Sequence, residues 1–138
     1  MKKFLWTGLL CPALLFCATG LPAAAQKGKP ATNAPAPCPH AETQFDLNQC
    51  AGREYKKADA ELNNAYRQLA LASTPEERRK LKAAQLAWLK FRDAQCEFES
   101  VLNVGGTMYP MVLDFCLAGV TAARTRQLRE SLAKWQER

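Results

Sequence analysis

Few side chains in this sequence have the type and spacing that chemistry requires. His40 stands beside Pro39 and two residues after Cys38. Cys38 and His40 can be pictured as metal ligands, but a zinc site takes several such donors and a catalytic histidine must be held rigidly against its partners. Glu97 and Glu99 are near neighbours. Helical positions two apart do not face each other, so the pair reads as a solvated face and not as the facing carboxylates of a glycosidase. Gly105-Gly106 reads as a turn and lacks the rest of a phosphate-cradling loop, and no G-x-S-x-G or nucleotide fingerprint occurs. These residues predict no enzyme, no cofactor and no metal site. One constellation is less ordinary: Gln85, Trp88, Arg92 and Cys96 fall at spacings of 3, 4 and 4, which places them on one stripe of a helix. A core stripe does not normally carry Gln and Arg, and an unpaired buried polar group costs roughly 1–3 kcal/mol. Asn63, Tyr66 or Thr121 could supply partners, and Arg124 is a further member of such a set. A structural polar network is the first reading. A recognition groove lined by Trp88 and Arg92, both favoured interface residues, is the second.

Three helices must hold these groups. Thr43 is a plausible N-cap with Asp46 three residues later, and Leu47, Cys50/Ala51, Ala58, Leu62, Tyr66 and Leu69 recur at helical spacing to about Leu71. Ser73-Thr74-Pro75-Glu76-Glu77 then spells a Thr N-cap, a proline at the first helical position and a capping-box Glu. The second helix runs through Leu81, Trp88 and Phe91/Arg92 to about Val101. Asn103 to Thr107, with its paired glycines, breaks the pattern, and a third helix starts near Tyr109-Pro110 and carries Val112/Leu113, Cys116/Leu117, Val120, Arg124, Leu128 and Leu132. No strand signal competes. The expected fold is all-α: a three-helix antiparallel bundle, or a long helical hairpin with a third helix packed on it.

The N-terminus sets the compartment. Lys2 and Lys3 precede an apolar stretch from Phe4 to Ala18 that is short for a bilayer span, and Ala23-Ala24-Ala25 offers a cleavage site before Gln26. Residues 1–25 are therefore expected to be a signal peptide of bacterial type, residues 26–41 a flexible Pro/Ala-rich segment, and residues 42–138 the helical domain. Cys11 and Cys17 follow Leu10 and Phe16, where a lipoprotein signal needs a small residue. Losing residues 1–25 removes two lysines and no acid, so the +6 chain becomes +4. That charge is spread along the helices, which argues against a nucleic-acid partner, and no stable membrane insertion is expected after cleavage. The destination is periplasmic or secreted.

Four cysteines remain, Cys38, Cys50, Cys96 and Cys116, and an even number in an oxidising compartment reads as two disulfides. Cys50 lies 24 residues before Thr74 and Cys96 lies 22 after it, so the hairpin puts both at nearly one height, with Cys116 near the same end. Cys50 can then reach Cys96 or Cys116, leaving the other to Cys38. The pairing stays open, with a lean to Cys38–Cys96 and Cys50–Cys116.

Thr43-Gln44, Asn48-x-Cys50-Ala51, Ala58-Asp59-x-Glu61-Leu62-Asn63-x-x-Tyr66, Leu81-x-x-Ala84-Gln85-x-x-Trp88-x-x-Phe91-Arg92-Asp93-x-x-Cys96, Gly105-Gly106-Thr107, Cys116 and Thr121-x-x-Arg124-x-x-x-Leu128 together resemble the LprI-like lysozyme inhibitor family, a bacterial exported domain. The resemblance spans about Cys38 to Leu132 and is most specific in the Ala-Gln-x-x-Trp…Arg-Asp-x-x-Cys segment. It implies an exported, helical, cysteine-bridged protein whose partner is a protein. Lysozyme inhibition in that family belongs to a lipoprotein member, whose lipobox has no counterpart here. Animal-type lysozymes are strongly basic, so an excess of +4 opposes steering. An acidic patch of Asp93, Glu97 and Glu99 beside Gly105 and Gly106 would offset that and forms the candidate partner-binding surface. The expected function is a protein-binding module inhibiting lysozyme or another peptidoglycan hydrolase. The alternative is a non-enzymatic cell-envelope accessory protein docking through a helical face such as Leu128, Leu132 and Trp135. A weaker third is a binder of small ligands in the bundle.

Overall fold

The computed structural model describes residues 38–137, so the expected signal peptide and residues 26–37 of the Pro/Ala-rich segment lie outside the described residues. Three long helices follow one another: α1 (Gln44–Ala72), α2 (Pro75–Ser100) and α3 (Tyr109–Gln136), with one 3-10 turn, Val101–Asn103, after α2. At 1.5 Å per residue each helix is about 40 Å long.

Local chemistry sets the boundaries. Asp46 N–H donates to Thr43 Oγ1 at 3.1 Å and Thr43 N–H donates back to Asp46 Oδ2 at 3.0 Å, a reciprocal cap on α1. The Thr43 hydroxyl also donates to Asp46 Oδ2 at 2.6 Å, and this bond, with that from Thr43 N–H, holds the Asp46 carboxyl below the usual carboxylate range, so its contribution is present at neutral pH and fades as acid protonates it. Thr74 repeats the device on α2: Glu77 N–H donates to Thr74 Oγ1 at 3.3 Å, and Thr74 N–H donates to Glu77 Oε2 at 2.9 Å. Thr74 also precedes Pro75, and the proline ring excludes helical backbone at the residue before it. Ser73 and Thr74 are accordingly both extended (ψ 146° and 164°), which ends α1 and starts α2 within two residues. Thr74→Ala is expected to cost about 1 kcal/mol, read as a lower urea midpoint at unchanged slope, with Thr74→Ser close to wild type.

Side-chain contacts give the helix directions. Asn48 Nδ2 donates to the Thr107 carbonyl (3.0 Å), Gln44 Nε2 to Met111 Sδ (3.7 Å), and Arg129 Nη2 to Glu61 Oε2 (3.3 Å). Residue numbers rise together along α1 and α3, so these two helices run parallel and α2 runs against both. The most intimate pair is α1 with α3, while α2 packs on α3 and stands off from α1. Residue size explains this. The α1–α3 seam buries Ala51, Ala65, Thr121 and Thr125, small side chains that let backbones approach. The side chains α2 sends inward, Leu81, Trp88 and Arg92, are long. The apolar core sits toward the Ser73 end: Leu62, Ala65, Leu69 and Leu128 are buried, with Tyr66, Leu81, Trp88, Leu132 and Trp135 packed against them.

The disulfides gather at the opposite end, as the hairpin geometry requires, but the pairing corrects the expected one. Cys38 bonds Cys50 (Cα–Cα 6.0 Å) and Cys96 bonds Cys116 (Cα–Cα 5.5 Å). Helical periodicity gives height along the bundle but not lateral distance. Because long side chains hold α2 off α1, Cys96 meets the nearer α3. Cys50 is taken by Cys38, which returns along the first turns of α1 through a tight turn in which Ala41 N–H donates to the Cys38 carbonyl at 3.3 Å. Residues 38–41 are thus a turn tied to α1.

Candidate functional site

The polar stripe of α2 does face inward. Arg92 is 7 % exposed, and its guanidinium lies over Tyr55 (5.6 Å) and Trp88 (5.4 Å). Its Nε donates to Asp93 Oδ1 at 2.8 Å, Nη2 lies 2.7 Å from the same oxygen, and Nη1 is 3.9 Å from Asp59 Oδ1. Gln85 Oε1 accepts from Arg124 Nε at 3.2 Å, and the Arg124 guanidinium also lies over the Trp88 ring, at 5.9 Å. Asn63 Nδ2 donates to Asp59 Oδ2 at 2.8 Å, so it supports Arg92 at one remove. Tyr66 packs on the apolar core, and Thr121 Oγ1 is buried with no hydrogen-bond partner among the described residues, so neither supplies the partner expected of it. Tyr55 and Asp59 do. Their spacing of four, continued to Asn63, is a polar stripe on α1 matching that on α2, and it was there to be read. Burial raises the Tyr55 phenol above its ordinary pKa, in keeping with a ring held inside this network.

Asp114 on α3 has the opposite sign to Asp46. Partial burial raises its carboxyl above the ordinary range, with nearby Lys56 opposing. The folded chain therefore holds this proton more tightly than the unfolded one, and stability falls as pH rises from the ordinary carboxylate pKa through the raised one. Asp114→Asn is expected to raise the melting temperature at pH 7 and to leave it unchanged at pH 2, measured by calorimetry.

The candidate partner-binding residues separate. Asp93 is committed to Arg92. Glu97 and Glu99 are exposed in the last turn of α2, where Glu99 accepts from Gln95 Nε2 at 2.7 Å. Acids at the negative end of a helix are unfavourable by about 0.3–1 kcal/mol each, and no basic residue offsets them in that turn. Gly105 takes φ 80°, which favours glycine, and Gly106 N–H donates to the Asn103 carbonyl at 2.9 Å. Sequence reasoning missed the residues between. Phe98, Val101, Leu102, Val104 and Met108 are all exposed, Leu102 by 94 %. The segment 97–108 is thus an apolar, acid-flanked projection closed at its base by Cys96–Cys116. From Asp93 to Ala123 the chain carries four acids and no lysine or arginine. The face expected for an accessory protein is not free: Leu128 is 2 % exposed, and Leu132 and Trp135 pack on the core. His40 is exposed in the turn after Cys38.

Several known proteins resemble this chain. The chain is 39 % identical over 131 residues to an uncharacterized protein of Rhizobium meliloti, covering 86 % of this chain and 89 % of that one. It is 32 % identical over 98 residues to the uncharacterized protein YecT of Escherichia coli, covering 60 % of each. The crystal structure of a DUF1311 family protein from Pseudomonas putida superposes with a TM-score of 0.60 at 26 % identity, covering 64 % of this chain and 93 % of that one. Residues 36–128 match the family described as lysozyme inhibitor LprI, and the chain belongs to that family.

Proposed function

We propose that this protein is an exported, non-catalytic protein-binding module that inhibits lysozyme or another peptidoglycan hydrolase by presenting the segment from Glu97 to Met108 to the enzyme. The observation that carries the reading is the exposure of five large apolar residues in that projection, anchored by a disulfide. Monomeric proteins seldom leave such a patch bare without a use for it. The acids beside it favour a basic partner despite the overall positive charge, since complementarity acts locally and speeds encounter. Export is supported by Lys2, Lys3, the apolar stretch and Ala23 to Ala25, with residues 1–25 as signal peptide and periplasmic or secreted delivery. The two disulfides fit an oxidising compartment, and no helix among the described residues is long and apolar enough to cross a membrane.

The test is to titrate the oxidised chain into a lysozyme assay on bacterial cell walls, with animal-type and goose-type enzymes side by side. Dose-dependent inhibition that vanishes on reduction and alkylation is expected. Leu102→Asp should weaken it at least about tenfold while leaving the melting temperature unchanged, because this side chain touches little of its own fold. Glu97→Gln/Glu99→Gln should slow association and flatten its salt dependence. Absence of inhibition at tens of micromolar, or full activity of Leu102→Asp, would overturn the proposal.

A further inference from the structure

At the end of the bundle away from that projection, α2 and α3 flank a groove of about 330 Å³. Its floor and walls are Leu69 from α1, Leu81 from α2, and Leu128 and Trp135 from α3, and its cations are Lys80 and Arg124. Ligand sites are typically clefts of roughly 300–1,000 Å³ with apolar walls and a few placed polar groups, and this one lies at the small end of that range.

Arg124 is the placed group. Its Nε donates to Gln85 Oε1 and its Nη1 to Gln127 Oε1, each at 3.2 Å, and it lies over Trp88. Those partners are neutral. Arg92 and Arg129 pair with carboxylates, whereas none lies within ion-pair distance of Arg124 among the described residues. It is a half-buried cation, and burial lowers its pKa, which signals a charge short of compensation. The one acid lining the groove, Glu77, accepts from Thr74 N–H at 2.9 Å in the α2 cap, about 12 Å along the helix from Gln85.

We infer that this groove binds a single-chain alkyl carboxylate, with the chain along Leu69, Leu81, Leu128 and Trp135 and the carboxylate on Arg124, since Lys80 already pairs with Glu76 at 3.6 Å. The volume admits one chain, the apolar walls offer a peptide backbone few partners, and an anionic head supplies the charge that Arg124 lacks. The site is independent of the projection at the other end, so it stands or falls apart from the inhibitor reading.

Dodecanoate below its micelle concentration is titrated into the oxidised chain as isolated from its own cells, followed by calorimetry and by tryptophan fluorescence, which Trp88 and Trp135 supply. One-to-one saturable binding is expected, with octanoate weaker and dodecyltrimethylammonium at least about tenfold weaker. Arg124→Gln should lose about tenfold. Ala84→Trp fills the groove from an exposed wall position and should abolish binding, with circular dichroism and melting temperature reporting an intact fold. Absence of saturable binding, equal binding of the cationic amphiphile, or undiminished binding by both folded variants would overturn the inference.

Discussion

Replacing Cys96 and Cys116 together by serine is expected to lower stability by about 3 kcal/mol, a fall of roughly 10–20 °C in melting temperature, and to abolish partner binding. The bridge closes 20 residues of sequence separation containing the Val101–Asn103 turn and the paired glycines, so its loss releases much entropy to the unfolded chain. It also joins α2 to the helix on which α2 chiefly packs. The Cys38–Cys50 bridge, of separation 12, has nearly the same chain entropy but ties down only the turn ahead of α1. Its removal should therefore spare binding, so the two serine double variants should differ more in inhibition than in melting temperature. Thermal and guanidinium unfolding of each, beside the wall-lysis assay, checks this. Retained inhibition by the Cys96/Cys116 variant would show that the apolar projection does not depend on its closure.

Arg92→Ala is expected to cost about 3 kcal/mol, whereas Arg92→Met should cost about 1 kcal/mol. The competing contributions decide this. Asp59 and Asp93 have side chains 43 % and 55 % exposed, so they regain water when the guanidinium leaves, and such screened pairs are worth at most about 1 kcal/mol. Stacking on Tyr55 and Trp88 adds about 0.5–1 kcal/mol for each ring, and the buried aliphatic stem adds packing that alanine loses and methionine keeps. Volume and ring contact outweigh charge here. Urea unfolding of both variants measures it, and a Met variant as unstable as the Ala variant would show that the charge dominates.

What the sequence revealed follows the range of the interactions concerned. Thr43 with Asp46 and Thr74-Pro75 with Glu77 act within one helical turn, so the starts of α1 and α2 were readable to the residue. The start of α3 at Tyr109 followed from the glycines before it. That Gln85, Trp88 and Arg92 share one stripe was readable from spacing; that the stripe turns inward was the first of two readings. Disulfide pairing was not, because it depends on how far Arg92 and Trp88 push α2 from α1, a lateral distance that helical periodicity does not encode. Asp59 was overlooked because an acid on a long helix is ordinarily solvated. The exposure of Leu102 was hidden for the converse reason: an apolar residue in a short break between helices reads as buried until the packing around it is known.

The partnership of α1 with α3 bears on when the chain can fold. Helices adjacent in sequence, α1 and α2, are not the close pair; the first and last helices are. Until α3 is complete, Ala51, Leu62 and Ala65 have no Thr121, Thr125 or Leu128 to bury against, and the α1–α2 hairpin alone cannot exclude water from its inner face. A nascent chain of this design stays open until its last thirty or so residues have emerged. If the chain is exported as proposed above, it would thus remain threadable through a narrow channel and commit to its fold only when whole.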